Sequence, residues 1–293
     1  MQAHALTPRM VSALPPDDKS NASDGHPAPM GESFQHNIPT CTPDFPFLSI
    51  LASGGHTLLI HSASLTDHRV LGTTNDIAIG ECLDKIARVV LPTEILQTTK
   101  STMYGALLEA FSLPDQQLGT SGDAADSFVF GSKSSVHSAE TYLTAYGYRY
   151  DWYQVSSNHE DAIRRSATKW GWALNRPLTT SGGGIKINSL EMSFSGLTTM
   201  VERIMRFGVD PTTKKLEKVE RASADVSIQE RKDLAKETMR VAFEHVASRV
   251  VLGLLSLQND TTAKPAVVMA GGVASNSFLR HMQVLLLCSK CPC

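Results

Sequence analysis

The stretch that decides the fold is Phe47-Leu48-Ser49-Ile50-Leu51-Ala52-Ser53-Gly54-Gly55-His56-Thr57-Leu58-Leu59-Ile60. A short apolar run ends at a Ser-Gly-Gly turn and a second apolar run follows at once, which predicts strand, glycine turn, strand. Downstream the period changes. Apolar side chains at Ile79, Cys82, Leu83, Ile86 and Val90 recur at helical spacing, and Glu81, Asp84, Lys85 and Arg88 fall on the opposite face. Strand pairs followed by amphipathic helices predict an α/β protein.

Further elements follow from the same rules. A helix is expected over Tyr104 to Phe111, another over His159 to Trp170, and a long one from Val226 to Leu257, with Leu234, Val241, Val246, Val250, Leu254 and Leu257 on one face. Ala266-Val267-Val268-Met269-Ala270 reads as a buried strand, Gly271-Gly272 as its turn, and Ser275 or Asn276 as the cap of a helix running through Leu287. The segment from Pro15 to Pro43 is rich in Pro, Ser, Asp, Asn and Gly and reads as a linker. Pro114 to Asn158, polar and long for a connection, reads as an inserted surface segment. The expected organisation is 1–44, a short segment and linker; 45–112, hairpin and helices; 113–192, the insertion; and 193–293, further helices with a strand-Gly-Gly-helix unit.

Composition sets bounds on function. The 293 residues are 42% hydrophobic and carry a net charge of -2, enough for real cores and too balanced for a global field toward nucleic acid or an anionic membrane. Arg249 interrupts the best apolar stretch, Val246 to Leu257, so no membrane span is expected. Neither a secretory signal nor a transit peptide is visible near Met1. The five cysteines, an odd number with Cys82 on a helix's apolar stripe, point to a reducing compartment. Cys288, Cys291 and Cys293 provide one Cys-x-x-Cys pair but no second, short of a closed zinc site.

Two glycine pairs, Gly54-Gly55 and Gly271-Gly272, each follow an apolar strand. Without a Cβ they let a phosphate or ribose approach backbone N–H groups, and a helix start adds favourable partial charge. Alone they are equally consistent with ordinary turns, since neither has Walker or Rossmann spacing. Taken with their neighbours they say more. The Pro46-Phe47 strand with Ser53-Gly54-Gly55-His56-Thr57, the helix Gly80-Glu81-Cys82-Leu83-Asp84-Lys85, the block Phe194-Ser195-Gly196-Leu197 and the turn Gly271-Gly272-Val273-Ala274-Ser275-Asn276 resemble, in order, the blocks of the TsaD family. His56 and the Asp84-Lys85 pair are similar to its bacterial and mitochondrial branch.

The resemblance implies a duplicated actin and hexokinase-like fold of the ribonuclease H-like type, incomplete here and carrying the polar insertion. It implies transfer of a threonylcarbamoyl group from threonylcarbamoyl-AMP to N6 of the adenosine beside the anticodon in tRNAs reading ANN codons, in the mitochondrion. It implies Leu51, Ala52, Ser53, Gly54 and Gly55 as the phosphate-side cradle, and Asp84, Gly105 and Asn276 as contacts to the nucleoside. His4 would be one ligand of a divalent iron or zinc ion. Partners would be tRNA, the enzyme that makes the activated donor, and a second copy in a homodimer. No side chain is assigned to catalysis. His56 is open to a general-base reading or to that of a neutral residue near the hairpin tip, and Ser195 lacks a nucleophile-elbow setting.

Departures from the family pattern are also visible. The opening lobe, the first metal histidine and a later Asp-Asn segment are missing, so the chain reads as truncated at both ends; Tyr104-Gly105-Ala106 replaces an expected Pro-Gly-Gly-Pro turn, and Thr198 replaces a lysine. The rival reading is a non-catalytic nucleotide- or partner-binding remnant. A metallopeptidase is disfavoured by the lack of a His-Glu-x-x-His set. For tRNA, Arg164, Arg165, Lys169 and Trp170 form one basic and aromatic group, and Lys214, Lys215 and Lys218 another.

Overall fold

The computed structural model describes residues 43–100, 103–113, 143, 147–156, 167–179, 186–210, 212–257 and 266–290. Four strands form one mixed sheet in the order β3-β2-β1-β4: β1 Phe47–Ala52, β2 Thr57–Ser62, β3 His68–Thr73 and β4 Ala266–Ala270. The expected hairpin is present, with β1 and β2 antiparallel from Phe47↔Ser62 to Ala52↔Thr57. Every residue of β1 is buried because the strand is central and covered on both faces. That burial is why its sequence reads as a continuous apolar run and does not alternate.

β4 lies parallel to β1, from Phe47↔Ala266 to Leu51↔Ala270. Its five residues are exposed or half-buried, so the buried-strand expectation is corrected: β1 is its one partner among the described strands, and its other side has less cover.

Among the described residues six helices pack around the sheet: α1 Ile79–Val90, α2 Thr93–Thr98, α3 Tyr104–Ser112, α4 Ser195–Phe207, α5 Ile228–Leu257 and α6 Ser277–Lys290. The predicted stripe of α1 is the buried one. α5 differs from its one-faced reading, for every residue from Thr238 to Ala247 is buried. The reason is position. α5 packs against β1 and β2 on one side and against α1, α3, α4 and α6 around the rest, with Gly253 so close to the sheet that a Cβ there would sit 2.8 Å from Leu59 Cδ2. Polar residues in this stretch are satisfied locally, as where Arg240 pairs with Glu237 and Glu244.

The stretch read as an inserted surface segment also contributes to the core. Tyr150, Tyr153, Trp172 and Leu174 are buried, and Tyr150, Trp152 and Tyr153 surround Phe278 of α6 with ring centroids 5.3, 4.9 and 5.5 Å away. Aromatic pairs recover the burial that a polar sequence hides. Most of the helix expected over His159 to Trp170, the linker and His4 lie outside the described residues. Among the described residues no helix is long and apolar enough to cross a membrane.

Candidate functional site

Because β1 and β4 are parallel neighbours, Ala52 and Ala270 end at the same edge of the sheet, and both glycine turns leave from there. The two are pressed together. Gly271 has φ +98°, and a Cβ on it would lie 2.3 Å from Ala52 O. The start of α1 closes in from a third side: Gly80 N donates to Ser53 O at 3.2 Å, Ile79 N donates to Thr57 Oγ1 at 2.9 Å, and a Cβ on Gly80 would meet Ser53 O at 2.6 Å. Close approach of three backbones, which Gly80 and Gly271 alone permit, makes a compact floor.

Above this floor is an open cleft of about 190 Å³. Gly54 and Gly80 form one wall, Asp84 and Leu83 of α1 the next, Met103, Gly105, Ala106 and Glu109 a third, and Gly272, Val273, Ser275 and Asn276 the last. Four residues expected in a binding site, Gly54, Asp84, Gly105 and Asn276, thus line one space. Leu51 and Ala52 are buried in β1 and contribute backbone position, while Ser53 and Gly55 stand at the hairpin tip beside the cleft.

The local bonding explains the placement. Ser53 is spent on its own turn, its amide donating to His56 O at 2.9 Å and its hydroxyl accepting from His56 N at 3.0 Å. Gly54 and Gly55 are exposed, and nothing lies within 4 Å of a Cβ added to either. Asp84 Oδ1 accepts from Gly105 N at 3.1 Å, which ties α1 to the first turn of α3. Asn276 Oδ1 accepts from Leu279 N at 3.0 Å and caps α6, whose positive end therefore faces the cleft side of the fold.

Glu109 was missed by sequence reasoning. It stands one helical turn after Gly105, and that spacing is the signal that would have found it. Its Oε1 accepts from Ser277 N at 2.9 Å and from the Ser277 hydroxyl, so it caps α6 from a different helix. Burial pushes its carboxyl above the usual range, against the hydrogen bonds from Ser277 and Phe278 and the charge of Arg280.

Asp76 was missed too. Burial alone would raise its carboxyl, but hydrogen bonds from the hydroxyls of Ser195 and Ser193 and the amides of Phe194 and Ser195 hold it below its ordinary value. These bonds, 2.6 to 3.1 Å long, make Asp76 the cap of α4 and show Ser195 donating to a carboxylate. His245 is buried and kept neutral by desolvation, then by Arg249 and Arg176, with Nε2 accepting from Ser193 N at 3.3 Å. Burial pushes the Cys82 thiol up to about 12, which makes it unreactive at neutral pH. His56 is exposed at the hairpin tip.

Among the described residues no group of three or more His, Cys, Asp and Glu side chains is arranged to hold a metal ion. His4, Arg164, Arg165 and the cysteine side chains at 288, 291 and 293 lie outside those residues. Lys169 is paired with Asp233 at 3.2 Å, and Lys214, Lys215 and Lys218 are in an exposed or half-buried loop.

Comparison with known proteins gives the cleft its context. The family described as TsaD, tRNA N6-adenosine threonylcarbamoyltransferase, matches residues 32–144. The mitochondrial tRNA N6-adenosine threonylcarbamoyltransferase of Schizosaccharomyces pombe is 28% identical over 240 residues, 82% of this chain and 40% of its own length. The tRNA N6-adenosine threonylcarbamoyltransferase of Nostoc punctiforme is 32% identical over 156 residues, 49% of this chain and 44% of that protein. A third, from Magnetococcus marinus, is 51% identical over 47 residues, 16% of this chain and 13% of that protein. The chain thus spans less than half the length of these relatives. With the four motif blocks in family order, these matches make the chain similar to TsaD family members over the parts they cover.

Proposed function

We propose that the cleft binds threonylcarbamoyl-AMP and that the protein transfers its threonylcarbamoyl group to N6 of the adenosine next to the anticodon in tRNAs reading ANN codons. The observation that carries this reading is the convergence of Gly54, Asp84, Gly105 and Asn276 on one cleft at the carboxyl ends of parallel strands, the place where open α/β sheets bind ligands. The exposed amides of the Gly54-Gly55 tip receive phosphate oxygens, and the capped start of α6 adds positive potential on the other side. Asp84 and Glu109 accept from ribose hydroxyls. Leu83, Met103, Ala106 and Val273 supply apolar surface for the purine. Leu51, Ala52, Ser53 and Gly55 hold the tip in place.

In the reaction the N6 nitrogen bonds to the carbamoyl carbon as the bond from that carbon to the phosphate oxygen breaks. AMP leaves with the electron pair, and the nitrogen gives up a proton. The chain's contribution is to orient the donor and to stabilise charge on the departing phosphate. A family metal, iron or zinc with His4 as a ligand, is a proposal that concerns a residue outside the described set. Among the described residues no side-chain group is arranged to hold such an ion.

We further propose that the sheet belongs to one lobe of an actin and hexokinase-like fold with the four-part organisation 1–44, 45–112, 113–192 and 193–293, that an enzyme making the donor and a second copy are partners, and that the protein works in the mitochondrion, as the name of the S. pombe relative suggests. The test is to incubate the purified chain with labelled threonylcarbamoyl-AMP and an unmodified tRNA transcript. Label on the tRNA, reduced in Asn276→Ala at subsaturating donor, is expected. Nucleotide bound without transfer would replace this reading with a non-catalytic nucleotide-binding protein.

A further inference from the structure

A second groove, of about 570 Å³, lies away from the cleft along α5. Its floor is one face of that helix, Asp233, Lys236, Glu237 and Arg240, at helical spacing. Trp152 and its neighbours stand along one part of it, and Lys169 and Trp170 along another. Lys236 Nζ sits 3.6 Å from the centroid of the Trp152 ring and Lys169 Nζ 4.9 Å from that of Trp170. Asp233 is oversubscribed: it accepts from Trp170 Nε1 at 2.8 Å and from Gln229 at 2.9 Å, it pairs with Lys169, and it is the carboxylate that attracts Lys236. Lining cations, Lys169, Lys236 and Arg240, exceed the lining carboxylates, Asp233 and Glu237, by one. Glu244, which also pairs with Arg240, lies beneath.

From this arrangement we infer that the groove binds single-stranded RNA, with an unpaired base against the indoles of Trp152 and Trp170 and a phosphate on Lys236. Two indoles lining one groove, with the half-buried Lys236 beside Trp152 and the exposed Lys169 beside Trp170, match an unstacked nucleotide, which offers a flat ring and an anion a few ångströms apart. A stacked base is worth more than the partly exposed cation–π contact it displaces, so the lysine is free to turn to the phosphate. Duplex RNA, whose bases are buried in the stack, does not fit this chemistry. The identity of the polymer rests on the tRNA reading above, whereas the place of binding does not.

The indoles provide the readout. The chain has three tryptophans, and the third, Trp172, is buried away from solvent. Titrating the full chain with a single-stranded RNA oligonucleotide is expected to quench tryptophan fluorescence in a salt-sensitive way, while duplex RNA of equal length and inorganic phosphate leave it unchanged. Lys236→Gln and Trp170→Ala are each expected to weaken the RNA by about 5- to 10-fold without changing threonylcarbamoyl-AMP binding in the cleft. Lys236→Gln leaves Trp152 its contacts with Tyr153 and Phe278, so a fold defect in the other variant does not decide the matter. Wild-type affinity in both variants, no quench by single-stranded RNA, or equal quench by an acidic aromatic peptide overturns the groove. If the quench is intact but the cleft takes no nucleotide, the functional reading fails and the groove stands.

Discussion

The two glycine turns look alike in the sequence and differ in the structure. Gly54 and Gly55 stand at an exposed tip with open space where a side chain would be, whereas Gly271 is locked at φ +98° against the carbonyl of Ala52. Both reach the cleft edge because β1 and β4 are parallel neighbours. A glycine required by packing and a glycine left bare at a binding edge produce the same letters, and substitution separates them. At Gly271 the expected loss is of the fold, and at Gly54 it is of ligand.

The largest expected effect is at the packed turn. Gly271→Ala adds a left-handed backbone penalty to a clash with backbone and should cost about 3 kcal/mol, read as a fall in the urea midpoint. Gly80→Ala comes next: its Cβ would meet Ser53 O at 2.6 Å and Gly54 N and Cα at 2.7 Å, so the loss should be about 2 kcal/mol. A wild-type midpoint for either variant would break the distinction between the turns. Asn276→Ala removes the cap of α6 and should cost about 1 kcal/mol, with roughly 10-fold weaker nucleotide binding by calorimetry.

Glu109 sharpens the comparison through pH. Its folded-state carboxyl is raised by burial, so the unfolded chain releases that proton more readily and the folded protein loses stability as pH rises from the ordinary glutamate value through the raised one. Glu109→Gln should flatten that part of the profile in denaturation curves recorded as pH rises above the ordinary glutamate value, and an unchanged slope would remove the assignment. The smallest stability effect belongs to the open turn. Gly54→Ala should shift stability by no more than about 0.5 kcal/mol while nucleotide affinity drops, and a variant that binds as the wild type does would take the phosphate away from this tip.

Much of this was legible from local pattern. The hairpin at Phe47 to Ile60, the α1 stripe and the α3 helix rest on near-neighbour spacing and are where periodicity put them, and of the two cap candidates, Ser275 and Asn276, it is Asn276 that caps α6. Asp84 was read as facing away from the apolar stripe, and it does, because a 3.6-residue period fixes directions around a helix. What the pattern missed depends on distant partners. Glu109 and Asp76 carry no motif of their own, and they matter because α6 and α4 start beside them. Tyr150, Trp152 and Tyr153 come from a polar stretch and are buried or half-buried because Phe278 is there to receive them.

By itself the sequence determined the element types, the two glycine turns and the order of the family blocks, since these follow from backbone stereochemistry and from side-chain period along a continuous segment. The tertiary structure alone decided that β4 lies beside β1, that α5 is covered on every side at its middle, and which glycine is packed and which is open. Those outcomes are set by contacts between residues far apart in the chain, where shape and burial choose among partners that local spacing leaves equivalent.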